Sequence, residues 1–341
     1  MMVSSNRIHS DDRLLCRITS DLAGQLAALT GTTPDVARVG ADPPLLSGAI
    51  LHSDRLPVAA MGFAAESDRT LTITDPVFLQ NVPTNVRQQW TLRLLKEVLQ
   101  EAKKNGSRLI RCLQPVDADA SVIEMTQTLT ESGFLQQARI VILEKSTSDD
   151  RLQEMFGAQT SEAETGSSFI VDLLTATQWS GDADSEAVFK VVLRQVLADS
   201  MDLRRLPPPE VHELLEDWSR QQASMVLVRQ GEQIIGLCAS TMGSEQNSAG
   251  SASTTALIQY IGVVPGFRRT GIASNIIALL PKLLSSAHSP ESQTILRLKV
   301  FCDAGNQPAR MLYLRSGFEM TGELDVWCRG TGAAQCCINS V

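Results

Sequence analysis

The stretch VPGFRRTGIAS, residues 264–274, joins two apolar segments of the chain through two arginines, a threonine and a glycine. Residues 255–264, which lead into it, are nearly all apolar, a pattern typical of a strand buried on both faces of a sheet. Residues 272–284, which follow it, are predicted to be a helix, with a kink or an early end at Pro281. The stretch is therefore predicted to be the turn from a central strand into a helix.

Such a turn is suited to an anion, because the first N–H groups of a helix have no acceptor within the helix and carry partial positive charge. Gly271 lacks the Cβ that would keep a phosphate away from the backbone, and Ala273 keeps the first turn slim. Arg268 and Arg269 add positive charge. The spacing of the glycine and the charged residues is neither that of a P-loop nor that of the GxGxxG motif of dinucleotide-binding proteins. An ordinary strand-to-helix turn with surface arginines is the alternative that this segment leaves open.

A second motif follows a predicted strand at residues 294–302. It reads NQPARMLYLRSGF, residues 306–318, and predicts a helix with Pro308 in its first turn and Gly317 just past its end. RRTGIA resembles the (Gln/Arg)-x-x-Gly-x-(Gly/Ala) pyrophosphate loop of the GNAT superfamily of N-acetyltransferases. The second motif resembles the Asn-x-x-Ala-x-x-x-Tyr-x-x-x-Gly-Phe motif of the same family. The resemblance covers residues 167–328.

The resemblance implies that acetyl-CoA lies between the two predicted strands 255–264 and 294–302, with its pyrophosphate on the arginine and glycine loop. Backbone groups at the end of the first strand would hold the pantetheine and polarise the thioester carbonyl. The residues implied in cofactor binding are Ile261, Val263, Val264, Arg268, Arg269, Thr270, Gly271, Ile272, Ala273, Asn306 and Ala309.

Tyr313 is the side chain that the resemblance implies as general acid, because a phenol with a pKa of about 10 is protonated at neutral pH. A core aromatic on an amphipathic helix is the alternative. Asn306 is expected to cap the helix and contact the cofactor, with a plain N-cap as the alternative.

The general base has no clear candidate. Many relatives carry a glutamate on the strand before the loop, but residues 256–260 read ALIQY and contain no carboxylate. Ordered water, Asp303 or Glu319 could take the proton, whereas Gln259 and Tyr260 could only orient the amine. Two histidines, His212 and His288, are expected to be surface or satisfied side chains.

The first half of the chain repeats the later part of this order of elements. Strand 71–79, helix 90–103, strand 108–113 and helix 121–132 are predicted, and Ser132-Gly133-Phe134 matches Ser316-Gly317-Phe318. Aligned on Arg87 and Arg268, this half has Trp90 and Leu92 where the second half has Gly271 and Ala273. A tryptophan would fill the space for a diphosphate, so a diverged duplication without a cofactor site in its first copy is predicted.

The predicted fold is therefore α/β (α+β), with two GNAT-like domains, each a mixed, mostly antiparallel central sheet flanked by helices. The predicted boundaries are a degenerate domain at 1–148, a linker at 149–166, an acetyltransferase domain at 167–330 and a flexible tail at 331–341.

Composition narrows the partners of this chain of 341 residues. A formal net charge of −8 argues against nucleic acid and anionic membranes. Seven scattered cysteines lack the spacing of a zinc site and favour a cytoplasmic protein with reduced thiols and no metal. No signal peptide or membrane helix is predicted. The oligomeric state is left open.

The predicted function is an N-acetyltransferase that moves an acetyl group from acetyl-CoA directly to a primary amine of a small molecule or peptide. A non-catalytic acyl-CoA-binding sensor or scaffold is one alternative, favoured by the missing carboxylate. A transferase for a longer acyl-CoA is the other.

Overall fold

The computed structural model describes the ordered elements of the chain and their connections at residues 14–19, 47–53, 56–65, 70–79, 82–116, 120–147, 169–180, 183–198, 211–246, 252–287 and 296–331. The predicted linker at 149–166 lies outside the described residues, as does the predicted tail beyond residue 331. Among the described residues, no helix has the length and apolar character needed to cross a membrane.

In chain order, the elements up to residue 147 are β1 (Leu14–Thr19), β2 (Ser47–Ser53), β3 (Leu56–Ala65), β4 (Thr70–Ile73), β5 (Val77–Phe78), α1 (Thr84–Lys104), β6 (Leu109–Pro115), α2 (Ala120–Glu131) and β7 (Leu135–Ser146). The strand expected at 71–79 occurs as the two short strands β4 and β5. The helix expected from Trp90 begins at Thr84, because its first turns are polar and carry no apolar stripe to reveal them.

The elements after residue 169 are β8 (Ile170–Leu174), α3 (Ala176–Trp179), α4 (Ala183–Leu197), α5 (Val211–Arg220), β9 (Ser224–Gln230), β10 (Gln233–Gln246), β11 (Ala252–Val263), α6 (Ile272–Ala287), β12 (Leu296–Asp303), α7 (Gln307–Arg315) and β13 (Glu319–Gly330). The helix α6 continues through Pro281 to Ala287, so the proline does not end it.

The chain divides into two compact units that are not consecutive segments. Unit 1 contains Met1–Gln137 and Asp325–Val341, and unit 2 contains Ala138–Leu324. Unit 1 has the strand order β1-β2-β3-β4-β6, followed by β13. Its pairs are antiparallel from β1 to β4 and parallel between β4 and β6. One core, centred on fully buried residues such as Leu94 and Ile110, packs α1 and α2 against this sheet.

Unit 2 has the strand order β7-β12-β11-β10-β9-β8. The β11–β12 pair is parallel and its neighbours are antiparallel. Separate cores cover the two faces of the sheet, with α6 and α7 on one face and α3, α4 and α5 on the other. The predicted sheet type, mixed and mostly antiparallel, is confirmed in both units.

The two halves share local geometry as well as element order. Phe134 after α2 and Phe318 after α7 each donate a backbone hydrogen bond to the carbonyl five residues earlier, at 2.9 and 3.1 Å. The preceding Gly133 and Gly317 have φ of 79° and 84°, the left-handed conformation that ends many helices. This detail supports the predicted internal repeat.

Contact between α4 and the end of β11 depends on a glycine. An ideal Cβ built on Gly262 would overlap the side chain of Val196 and lie 2.9 Å from Cε1 of Tyr260. Since the backbone of β11 and the helix are this close, no side chain fits at Gly262 without moving one of them.

We expect Gly262→Ala to lower the free energy of unfolding by about 1–3 kcal/mol, the usual effect of overpacking a core. Gly266→Ala is the matched control, because its Cβ would meet nothing within 4 Å, and we expect a change below about 0.5 kcal/mol. Urea unfolding of both variants measures the difference. Equal losses in the two variants would show that α4 does not need the glycine.

Candidate functional site

The parallel strands β11 and β12 separate partway along their length. Their ladder runs from Thr254, opposite Leu296, to Ile258, opposite Val300, and β11 then continues to Val263. The later residues of β11 keep their pairing with β10 on the other side. A gap therefore opens beside Gln259–Val263, and in the described part of the chain no strand pairs with that edge. The gap contains the predicted site positions Ile261 and Val263.

A bulge in the same part of β11 brings two consecutive side chains to one face of the sheet. In the β10–β11 register, Ser240 lies opposite Ile258 and Ala239 opposite Tyr260, so Gln259 is the extra residue. Tyr260 packs against Trp218 of α5, with ring centroids 6.0 Å apart. Both Gln259 and Tyr260 therefore face the layer of α4 and α5.

The Gln259 amide is held by side chains from two other elements. Its Nε2 donates to Oε1 of Gln221 at 2.8 Å and to Oγ1 of Thr241 at 3.1 Å. Nε2 of Gln221 donates in turn to Oδ2 of Asp217 at 3.0 Å. Because both Nε2 hydrogens are used, the amide has one orientation, and its Oε1 is left as an acceptor. No local pattern in the sequence indicates this network, because Thr241 and Gln221 lie 18 and 38 residues away from Gln259 in the chain.

The stretch after β11 forms a tight loop braced by its own side chains. Val264 is buried and donates its N–H to the Ile235 carbonyl at 2.9 Å. The Arg268 Nε donates to the Val263 carbonyl at 3.0 Å, and the Thr270 hydroxyl donates to the Phe267 carbonyl at 2.7 Å. Arg268 therefore fixes the end of β11, a contact that Arg87 repeats in unit 1.

Backbone conformation turns this loop toward the start of α6. Arg269 has φ of 65° and Gly271 has φ of 87°. The Gly271 carbonyl accepts from the N–H of Asn275 at 2.9 Å. The N–H groups of Ile272, Ala273 and the next residue precede that first donor and lie at the open end of the helix.

An anionic group fits this loop. An ideal Cβ on Gly271 would have nothing within 4 Å, so the space in front of the glycine is open. Arg269 and Thr270 are exposed beside it, and Ile272 is buried and anchors the helix start. Backbone N–H groups with arginine nearby are the donor set that phosphates bind.

Asn306 and Ala309 meet at the start of α7. Oδ1 of Asn306 accepts the N–H of Ala309 at 3.1 Å, so Asn306 is the N-cap of the helix. The N–H of Ala309 is occupied by this bond, and its methyl group packs against the core beside α6.

Tyr313 is buried on α7. Its ring packs edge-on against Phe318, with centroids 5.4 Å apart and planes at 61°. The same core contains Val300 and Cys302 of β12 and Ile272 of α6. Tyr313 therefore belongs to the core on the face of the sheet that α6 and α7 cover.

The other acid–base candidates have different surroundings. Asp303 is buried, and its Oδ1 accepts the N–H of Gly305 at 2.6 Å, which orders the turn after β12. Glu319 is exposed at the start of β13, and His212 is exposed on α5. His288 lies outside the described residues.

The described residues contain no cluster of metal-binding side chains, and the buried cysteine of β10 is unreactive. No group of three or more His, Cys, Asp or Glu side chains there could hold a metal ion. Cys238 on β10 is buried, and burial raises the pKa of its thiol to about 12. Since the thiolate is the reactive form, Cys238 is inert at neutral pH.

The sequence of residues 193–318 matches the model of the Acetyltransferase (GNAT) family. Residues 193–318 form a GNAT domain. This segment contains the gap, the arginine and glycine loop and both predicted motifs. No curated protein sequence matches the chain.

Two solved structures extend the similarity over nearly the whole chain. A GCN5-related N-acetyltransferase from Sphaerobacter thermophilus is similar with a TM-score of 0.56 and 12% identity, over 94% of this chain and 96% of that one. A tandem GNAT protein from the clavulanic acid biosynthesis pathway is similar with a TM-score of 0.60 and 12% identity, over 94% of this chain and 99% of that one. At this identity the likeness concerns the fold, and the predicted tandem GNAT fold is confirmed.

We expect Asn306→Ala to lower the free energy of unfolding by about 1 kcal/mol, because the Ala309 N–H loses its acceptor. Asn306→Ser is the matched variant, since serine keeps a capping oxygen, and it should recover most of the loss. Thermal or urea unfolding measures both. If serine and alanine are equally destabilising, the cap is not what Asn306 contributes.

Proposed function

We propose that unit 2 is an acetyl-CoA-dependent N-acetyltransferase that transfers the acetyl group directly to a primary amine. The observation that carries the proposal is the loop Arg268–Ala273 at the open end of the gap between β11 and β12. The gap exposes a strand edge long enough for an extended chain, and the loop presents backbone N–H groups and arginine to an anion. In acetyl-CoA the pantetheine is the extended chain and the pyrophosphate is the anion, and the two follow each other in the same order as the strand edge and the loop.

The binding roles follow from this placement. The backbone of Ile261, Val263 and Val264 would bind the pantetheine along the free edge of β11. Arg269, Thr270, Gly271, Ile272 and Ala273 would surround the pyrophosphate, and Arg268 would add charge while it braces the strand end. Acetyl-CoA, when bound, supplies the acetyl group as a thioester.

The amine would approach from the face that carries Gln259 and Tyr260. Oε1 of Gln259 is directed by the bonds to Gln221 and Thr241 and can accept a hydrogen bond from the amine. An amide cannot take a proton at neutral pH, so Gln259 orients the amine and water removes its proton. The acceptor is a small molecule or a peptide in a cytoplasmic setting.

Tyr313 is proposed to protonate the leaving thiolate. In the reaction the N–C bond forms, the C–S bond breaks, one proton leaves the amine and one reaches the sulfur. Packing against Phe318 limits the orientations available to the Tyr313 ring. Asn306 and Ala309 support this residue by fixing the first turn of its helix.

Unit 1 is proposed to bind no acyl-CoA. Its helix α1 begins at Thr84, directly after Pro83, so no glycine loop separates strand and helix. Trp90, aligned with Gly271, is buried in the core of unit 1. The Gln114 amide also donates to Asp75 across the place where β4 and β6 separate, at 3.4 Å, which closes the equivalent gap.

Acetyl-CoA binding is expected to be lost in Gly271→Ala, because the new Cβ strains a left-handed residue and enters the space of the pyrophosphate. Gly231→Ala is the matched control: this glycine is also left-handed, with φ of 59° and nothing within 4 Å of a Cβ, but it lies in the β9–β10 turn. Calorimetry and thermal shift measure both. At a concentration a hundredfold above Kd, the ligand should stabilise wild type by about 2.7 kcal/mol.

The controls separate strain from loss of the site. If both variants lose stability equally but only Gly271→Ala loses binding, the loop is the pyrophosphate site. Absence of acetyl-CoA binding by the folded wild type would overturn the proposed function.

A non-catalytic acyl-CoA-binding protein is the second candidate, favoured by the absence of a carboxylate on β11. Thiol release from acetyl-CoA with a panel of primary amines distinguishes the two, because a binding protein releases none. Thiol release from a longer acyl-CoA, and none from acetyl-CoA, would identify a transferase for a longer acyl group.

For a catalytic protein, we expect Tyr313→Phe to lower kcat by about 10²–10⁴-fold, the usual effect of losing a general acid, with Kd for acetyl-CoA unchanged. Tyr260→Phe is the comparison, since Tyr260 is the other tyrosine of the chain, and its effect should be much smaller. A kcat for Tyr313→Phe within a few-fold of wild type would assign the tyrosine to the core only.

A further inference from the structure

Unit 1 contains a cavity of about 180 Å³ where the equivalent gap is closed. The β4–β6 ladder ends at Ile73, opposite Cys112. Two residues past this pair in each segment, Nε2 of Gln114 on β6 donates to Oδ1 of Asp75, just after β4, at 3.4 Å. The cavity lies beside this bridge, between the first turns of α1 and the middle of α2.

The carboxyl of Asp75, which lines the cavity, is held by a buried glutamine. Gln114 is almost completely buried, and its Oε1 accepts the hydroxyl of Thr126 at 3.1 Å. Its amide is thereby held in the orientation that donates to Asp75. Desolvation raises the pKa of the Asp75 carboxyl, while the hydrogen bond from Gln114 opposes this shift. Asp75 as a residue is exposed, and its raised pKa means that the ionised carboxyl would gain from a cationic partner.

Charges of opposite sign line the cavity without pairing with each other. Arg87 comes from α1, Glu124 from α2 and Asp75 from the end of β4. Among the described residues, Arg87 forms no ion pair, and neither carboxylate has a cationic partner. A molecule that carries both a positive and a negative charge could form ion pairs with both kinds of side chain around this small space.

The Arg87 guanidinium is positioned to receive an anion. Its Nε donates to the Val82 carbonyl at 2.8 Å, and its Cζ lies 5.7 Å from the centroid of the Phe78 ring. These contacts use the inner nitrogen and one face of the group, and they leave the two terminal nitrogens for a carboxylate. Arginine binds carboxylates in this planar, two-pronged manner.

We propose that this cavity binds a small zwitterion, an α-amino acid with a small side chain. The ligand carboxylate would contact Arg87, and its ammonium group would contact Glu124 and Asp75. The size is appropriate, since a cavity of roughly 150 Å³ holds a molecule such as benzene. Phe78 and Met125 would cover the side chain. The proposal is independent of acetyl-CoA binding by unit 2.

Calorimetric titration of the full chain with glycine, L-alanine and L-serine tests the proposal. We expect at least one of them to bind, and we expect methylammonium and acetate, which each carry one of the two charges, to bind far more weakly. Absence of binding by all three amino acids overturns the proposal. Equal binding of methylammonium would also overturn it, since a cation site would then explain the cavity.

Variants assign the binding to this cavity. Glu124→Gln should weaken amino acid binding by about tenfold or more, because it removes a charge-assisted contact. Glu101→Gln, near the C-terminal end of α1 beside Lys104 and away from the cavity, should have no effect. Arg87→Gln should weaken binding similarly to Glu124→Gln, and circular dichroism checks that each variant is folded. Gly271→Ala should leave amino acid binding unchanged. Loss of binding in Gly271→Ala, with Glu124→Gln unaffected, would place the amino acid in unit 2 and overturn the proposal.

Discussion

The separation of β11 from β12 after Ile258 and Val300 is the constraint on which the site depends. A parallel pair that continued to Val263 would use the backbone groups of β11 within the sheet and leave none for a ligand. The bulge at Gln259 and the antiparallel pairing with β10 keep β11 in place while its other edge is free. Beyond Ile258, only the five residues Gln259–Val263 of β11 therefore lack a strand partner on this edge within the described part of the chain.

Close packing at Gly262 supports this arrangement from the opposite face. The backbone of β11 lies against Val196 of α4, and the core on that side also contains Tyr260 and Trp218. A helix pressed against the free end of the strand limits its movement. The gap is therefore bordered by a rigid strand, which an extended ligand needs if its reactive atom is to be held in one place.

The sequence predicted the elements that follow strong local signals. Pro308 and Gly317 define the limits of α7, and the Gly271 turn lies where the strand-to-helix change was expected, because caps, turns and apolar runs are local features. The strands β1, β2 and β3 were not predicted. The segments SGAILHS and LPVAAMGFAA of β2 and β3 are rich in small residues and lack the alternation of a half-buried strand. Their pairing is set by neighbours distant in sequence.

The same limit applies to the site. The loop and α7 could be predicted because their residues form contiguous motifs. The Gln221, Thr241 and Gln259 network could not, since it joins three elements through side chains and needs the bulge to place Gln259 on the correct face. The absence of a carboxylate on β11 was visible in the sequence. The groups that act in place of this carboxylate depend on contacts that form only in the folded protein.

Comparison of the two units shows how one topology can be adapted to the two proposed uses. Each has a parallel pair of strands that separates at its end, and each has an arginine that bonds the carbonyl five residues earlier. In unit 2 the separation is left open and a glycine loop precedes the helix. In unit 1 the helix begins at once after Pro83, and Gln114 and Asp75 bridge the strands. Because a single hydrogen-bonded pair occupies the gap, the space that remains is small and charged instead of long and lined by backbone. Such a space selects for a compact polar ligand and excludes an extended one.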